Sequence, residues 1–166
     1  MKIGKYCLTG EKLSHSISPY IHSFNIKNCS YDLCEISKKN LTKDFIRSYD
    51  GMNITIPYKE EAVKYMDFTD DIVKICHSVN TVVNKAGKLY GYNTDIYGVE
   101  QTLLKYDINL KGLNVLILGS GGTANMMANL AAIKGANIFI KSRNKDTTKL
   151  LIENINRNFE KIKIYD

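Results

Sequence analysis

The sequence predicts an α/β chain built in two parts. Short runs rich in β-branched and aromatic residues alternate with amphipathic stretches from one end to the other, the rhythm of strands and helices packed in layers. The pattern sharpens after residues 107–112, where an almost wholly apolar pentapeptide, NVLIL, runs directly into the glycine turn GSGGTA. The composition is that of a folded chain: 166 residues, 44% hydrophobic and 24% charged, with 11 glycines and 2 prolines. Such a balance excludes bulk disorder and low-complexity architectures. A chain of this length buries roughly 70% of its unfolded surface, enough for one ordinary domain or two small ones.

In the first part the predicted strands cover residues 3–9, 31–36, 52–56, 79–84 and 88–92. The predicted helices cover residues 19–27, 42–49, 58–65, 71–76 and about 94–106. Ser18 before Pro19 opens the first helix, as an N-cap followed by proline at the first helical position. In strand 52–56 the alternation puts Asn53 and Thr55 on one face and Ile54 and Ile56 on the other. Ala86-Gly87-Lys88 reads as the turn joining the last two strands, because glycine tolerates the positive φ that hairpin turns need. The second part begins near residue 107. Strand 114–118 is apolar enough to be covered on both faces. A helix follows the glycine turn to about Lys134, then a strand at 137–141, a helix at about 146–156 and a strand at 162–165, a β-α-β-α-β unit.

Charge and cysteines narrow the class of function. The formal net charge is +6, but the basic residues are spread along the whole chain, without a basic block or an aromatic RNA-reading motif. This is a solvated cationic surface, suited to steering small anionic ligands, and not a nucleic-acid site. No apolar run approaches the roughly 18 residues of a membrane helix. A signal peptide is not expected either, since the N-terminus lacks a long apolar core. Cys7, Cys29, Cys34 and Cys76 form no C-x-x-C pair and share no metal-ligand spacing with His15, His22 or His77. They are expected to be reduced thiols in a cytoplasmic protein that binds no metal.

The glycine turn sits where a dinucleotide site needs it, between a strand and a helix, with a second strand beyond. Gly119 allows the tight turn, Gly121 lets the backbone approach a pyrophosphate, and Ala124 is small enough for close helix–strand packing. The helix N-terminus offers its N–H groups to phosphate. At the end of the second strand, where an NAD site carries an acid, the chain has Lys141-Ser142-Arg143-Asn144-Lys145. A planar guanidinium there suits a 2′-phosphate, so the expected cofactor is NADP.

Three polar clusters stand at predicted strand ends in the first part: His15-Ser16-Ile17-Ser18-Pro19, Asn53 to Lys59, and Asn80-Thr81 with Asn93-Thr94-Asp95. Polar side chains are costly to bury unless paired, so these clusters predict a polar pocket.

HSISP with the later His22, GMNITIPYK, VNTVV and GYNTDIYG, in that order, resemble the motif set of the shikimate dehydrogenase family. GSGGTA, and SRN in place of the family's similar NRT, fall where that pattern expects them, and the likeness runs from Tyr6 to about Leu151. The resemblance implies an N-terminal α/β substrate domain with a mostly parallel sheet (1–106), followed by part of a Rossmann-like NADP-binding domain (107–166). It implies reversible, NADP-dependent reduction of 3-dehydroshikimate to shikimate in aromatic amino-acid biosynthesis, by a cytoplasmic monomer or homodimer. By the matching motifs, Ser16 and Ser18 take the substrate carboxylate. Thr55, Lys59, Asn80 and Asp95 surround the ring hydroxyls, with Asn93 in support, and Lys59 and Asp95 are the catalytic pair. Gly119, Ser120, Gly121, Gly122, Thr123 and Ala124, with Ser142, Arg143 and Asn144, line the cofactor site.

The sequence also departs from the family. Lys12 stands where the pattern has proline, and Ser142 and Asn144 flank Arg143 differently from NRT. Family members continue further, with more Rossmann strands and C-terminal helices that supply a substrate-binding glutamine. A fragment, a natural truncation and a chain completed by a partner are all compatible with this ending, and a half sheet would leave an open edge and an uncovered apolar face. The alternatives are a quinate/shikimate dehydrogenase and a non-catalytic remnant that only binds ligand. Serines at both 16 and 18, without the bulk of threonine, favour shikimate over quinate.

Overall fold

The computed structural model describes residues 4–25, 28–159 and 164–165. By contacts the chain divides into two compact units, Met1–Thr94 and Asp95–Asp166. The division falls just ahead of the helix that the sequence pattern assigns to the first part.

The first unit is a six-stranded mixed sheet in the order β2-β1-β3-β5-β6-β4. β1 (Gly4–Gly10) lies parallel to both β2 (Cys29–Glu35) and β3 (Gly51–Ile54). β5 (Thr81–Lys85) runs antiparallel to β3 and to β6 (Lys88–Tyr92), and the short β4 (Phe68–Thr69) joins β6 in parallel. The β5–β6 hairpin turns on Ala86 and Gly87, with φ of 50° and 80°. Two successive positive φ values are what a two-residue turn matched to strand twist demands.

Helices α1 (Ser18–Asn25), α2 (Lys43–Arg47) and α3 (Asp71–Cys76) fall on expected segments. Two of them carry side-chain caps: Thr42 accepts from the Phe45 N–H, and Asp70 from the Val73 N–H. Each such cap stabilises a helix start by about 1 kcal/mol. The core gathers Leu41, Ile46, Met52, Ile54, Tyr58, Val73, Val79, Val82 and Leu89.

Two expectations fail in this unit for local reasons. Residues 58–65 do not form an α-helix. Tyr58 is pinned in the core by its hydroxyl, which donates to the Ile36 carbonyl at 2.6 Å, and Glu61–Tyr65 closes as a 3-10 turn. Its bonds tighten to i→i+3, as in Val63 N–H to Glu60 O and Met66 N–H to Val63 O, because β4 begins soon after, at Phe68. β3 also stops at Ile54. Thr55 still donates its N–H to Thr9 O, but the chain then turns at Pro57 and leaves Ile56 73% exposed, outside the core face that alternation assigns it.

Asp67 ties α2 to the β-sheet. Its carboxylate accepts from Lys43 Nζ at 2.6 Å and from the Leu89 N–H at 2.9 Å, with Arg47 3.9 Å away. The bond from Lys43, seconded by that backbone N–H, holds its pKa well below the usual carboxylate range, at about 2. A depressed folded-state pKa contributes stability above the unfolded carboxyl value near 4, and that contribution is lost as pH falls toward 2. Glu61 and Asp71, each bonded by a lysine, shift in the same direction. In thermal melts across this acid range, Asp67→Asn is expected to be less stable than wild type at neutral pH. The gap should close toward pH 2. A constant gap would mean that Asp67 acts through packing and not through its charge.

The second unit begins with α4 (Asp95–Lys105) and contains a parallel sheet, β7-β8-β9, formed by Asn114–Leu118, Asn137–Lys141 and Ile164–Tyr165. α5 (Gly122–Ile133) and α6 (Lys145–Asn158) complete the unit. Its core is built from Ala124, Ala128, Ala131, Ile117, Ile138, Ile140, Leu151 and Ile155. The alanines let α5 lie close to the strands. β7 is not covered on both faces. Ile117 is buried, whereas Leu116 and Leu118 are 63% and 76% exposed, because no described element lies over that side. Of the expected strand at 162–165, residues 162 and 163 lie outside the described residues, as do residue 3 of the first strand and residues 26 and 27 of the first helix.

Candidate functional site

In the first unit the parallel register sets the geometry. Tyr6 of β1 pairs with Tyr31 of β2, and Leu8 of β1 pairs with Asn53 of β3. Side chains two apart on a strand share a face, so Tyr31 and Asn53 stand on the same face on either side of β1. The outer strands of three are about 10 Å apart, and a phenol is long enough to cross between them. Tyr31 donates its O–H to Asn53 Oδ1 at 2.6 Å, and His22 of α1 stacks on its ring at 4.1 Å.

Ser16 donates its O–H to Ser18 Oγ at 3.0 Å. Tyr31 is one link in a directed chain of hydrogen bonds. Beyond Tyr31, the Asn53 amide donates to the Asn80 carbonyl at 3.4 Å and to Thr81 Oγ1 at 3.3 Å. Thr81 donates to Asn80 Oδ1 at 2.9 Å, and the Asn80 amide donates to Thr94 Oγ1 at 3.0 Å. Asn80 Oδ1 also accepts the Thr94 N–H at 2.9 Å. Burial pushes the Tyr31 pKa upward, so the phenol keeps its proton and its donor role. Sequence reading singled out the serine, Asn53 and Asn80 clusters but passed over Tyr31, whose only signal is a polar-tipped aromatic on a strand.

The other predicted residues take distinct places. Asn93 is buried and donates to the Ser78 carbonyl at 3.0 Å, an anchor for the loop ahead of Asn80. Thr55 packs its methyl against Gly10, where a Cβ would meet Thr55 Cγ2 at 2.6 Å. Lys59 is half-buried, and its carbonyl accepts the N–H of Val79 at 2.9 Å, which ties its backbone to the residue before Asn80. Asp95 follows Thr94 in the chain and opens α4 in the second unit.

The second unit places the glycine turn against the end of β8. Gly119 sits at φ 119°, a conformation that favours glycine. It donates its N–H to Lys141 O at 2.8 Å. Built at Gly119 or Gly121, a Cβ would have open space within 4 Å, so the backbone there is bare to an incoming group. Gly121 caps α5 with no side chain on the helix N–H groups. Ser120 and Ser142 share a hydrogen bond at 2.8 Å, and Thr147 bonds Ser120 as well. Asn144 caps α6 by accepting the Thr147 N–H at 3.1 Å. Leu118, Gly119, Ser120, Lys141, Ser142, Arg143 and Asn144 line a cleft of about 750 Å³, within the size range of ligand sites. Its charged walls are basic, and bare helix N–H groups beside a guanidinium suit a phosphorylated ligand. Gly122 and Thr123 lie exposed in the first turn of α5, and Ala124 is buried beneath them.

Among the described residues no group of three or more His, Cys, Asp or Glu is arranged to hold a metal ion, and the four cysteines are free thiols. No helix of the described residues is long and apolar enough to cross a membrane.

Residues 8–82 match the family model of the shikimate dehydrogenase substrate binding domain. A shikimate dehydrogenase (NADP(+)) of Clostridium beijerinckii is 42% identical over 127 residues, covering 72% of this chain and 47% of that protein. A solved shikimate dehydrogenase in complex with NADP+ superposes with a TM-score of 0.89 at 31% identity, over 99% of this chain and 61% of that one. The Thermus thermophilus enzyme in complex with NADP(H) and shikimate gives 0.83 at 26% identity, over 98% and 62%. The chain therefore spans between 47% and 62% of the length of these relatives. In motif order, in sequence and in fold, it belongs to the shikimate dehydrogenase family.

Proposed function

We propose that this chain serves the NADP-dependent, reversible reduction of 3-dehydroshikimate to shikimate, in the cytoplasm and as a monomer or homodimer. On this reading residues 1–106 hold the shikimate and residues 107–166 form the first part of the NADP site. The observation that carries the reading is the hydrogen-bonded pair of Ser16 and Ser18 together with the series from Tyr31 to Thr94, which gathers hydroxyls and amides in the first unit. A flat ring bearing a carboxylate and several hydroxyls is the kind of ligand that such a series complements.

Ser16 and Ser18 take the carboxylate, and Thr55, Asn80 and Asp95 take the ring hydroxyls. The NADP cofactor supplies the hydride when bound, and the bare turn at Gly119 and Gly121 with the basic cleft beside it fits its phosphates. As the ketone carbon is reduced, negative charge builds on its oxygen. The Lys59 ammonium meets that charge and gives up a proton to it, with Asp95 as the second member of the catalytic pair. Four free thiols suit a reducing compartment.

The exposed Leu116 and Leu118, on the strand that leads into the glycine turn, favour a second reading. In it the chain binds shikimate without turning it over. One set of measurements separates the two: shikimate-dependent NADPH formation by this chain, run beside calorimetry with shikimate, with NADP and with both, and beside a sizing column. Turnover is the expected result, with quinate a poorer substrate. Shikimate binding without NADP binding or turnover would establish the second reading, and no binding of either ligand would overturn both.

A further inference from the structure

We propose that Tyr31 is a positioning residue of the shikimate site, one that holds the Asn53 amide in the orientation on which the amides and hydroxyls at 80, 81 and 94 are built. The proposal rests on the shikimate reading above. Two contacts converge on this side chain: Asn53 accepting its proton at 2.6 Å, and the His22 ring stacked 4.1 Å away. The stack fixes the ring plane, and the plane fixes the direction of the O–H.

The direction matters because an amide has two unlike ends. With Oδ1 of Asn53 taken by Tyr31, its NH₂ must face the Asn80 carbonyl and Thr81 Oγ1. Thr81 is then committed as a donor to Asn80 Oδ1, and Asn80 as a donor to Thr94. The phenol proton thus orients the Asn53 amide, while the Thr94 N–H on Asn80 Oδ1 orients the Asn80 amide from the other end, and bonds aligned in series reinforce one another. A carboxylate arriving between Ser16 and Ser18 would draw both serine protons to itself. The Tyr31 O–H would stay on Asn53, so the polarity of the far end would survive ligand binding. Without that proton Asn53 Oδ1 loses its donor, and only the longer bonds of its NH₂ to the Asn80 carbonyl and to Thr81 hold the amide in place. Tyr31 itself needs no contact with the ligand for this role.

The test is a double-mutant cycle in the full chain, read by calorimetric titration with shikimate and by thermal melting of the same samples. Tyr31→Phe keeps the ring and its stack and removes only the hydroxyl, and Asn53→Ala cuts the same link from the other end. Each is expected to weaken shikimate about 5- to 10-fold, the worth of one hydrogen bond in a network. The double variant should be no weaker than Asn53→Ala alone, because Tyr31 acts through Asn53. A change that only loosened the fold would lower the melting temperature and add in the double variant, and that result would overturn the proposal. So would a Tyr31→Phe protein that binds as wild type does. If the wild-type chain itself fails to bind shikimate, the underlying reading falls and this role falls with it.

Discussion

Replacing Lys59 by methionine is expected to slow 3-dehydroshikimate reduction by about 10²–10⁴-fold, or roughly 3–5 kcal/mol in the barrier. Shikimate binding should suffer far less. Methionine has nearly the length of lysine and none of its charge, so the variant removes the proton donor and leaves the shape. The backbone at this position is held from both sides. The preceding Tyr58 is buried and bonded to Ile36 O, and the Lys59 carbonyl takes the Val79 N–H. The side chain can therefore change without moving the segment that carries Asn80. The distinction lies in where the charge develops. A ground-state ketone asks little of an ammonium, whereas an oxygen gaining negative charge asks for it fully. The loss should accordingly appear in kcat, with KM near the wild-type value. Steady-state kinetics in the direction of reduction measure both. Wild-type kcat in the variant would remove Lys59 from the chemistry, and a loss confined to KM would make it a binding group.

Much of this architecture could be read before any coordinates. β7 and β8 match their predicted limits, and so does α3, because each has sharp local punctuation: a glycine turn, a polar strand end or an aspartate cap. The failures have a common cause, since each depends on a partner distant in sequence. The 58–65 segment has helical spacing, but the bond from Tyr58 to Ile36, together with the start of β4, decides its pitch. Ile56 alternates correctly in sequence but lies past the end of β3. The polar clusters were legible one at a time, as hydroxyls and amides at strand ends. Their union was not, because it depends on the offset of β2 and β3 across β1, which places Tyr31 within reach of Asn53. No local signal in a sequence carries the register of two strands that are both parallel to a third.

The choice between a cofactor with a 2′-phosphate and one without it should rest on Arg143. Arg143→Ala is expected to weaken NADP binding by about 10- to 100-fold, the worth of a charge-assisted pair with a phosphate, and to leave NAD binding almost unchanged. The loop around it does not depend on the guanidinium. Ser142 Oγ accepts the Asn144 N–H at 3.1 Å, and Asn144 caps α6. The exposed arginine side chain can therefore be removed without unfolding its support. Lys141 and Lys145 remain beside the cleft and keep a general attraction for anions. For that reason the comparison between cofactors is the diagnostic quantity, and it should be made at fixed ionic strength. A diffuse field draws NADP and NAD alike, with a modest advantage to the more charged ligand, whereas a planar fork of donors distinguishes the one that carries a 2′-phosphate. Arg143→Lys should fall between wild type and Arg143→Ala, since an ammonium keeps the charge but not the paired geometry. Calorimetric titration of the three proteins with each cofactor gives the ratios directly. Equal losses for NADP and NAD would assign Arg143 to the general field, and no loss for either would place the 2′-phosphate elsewhere.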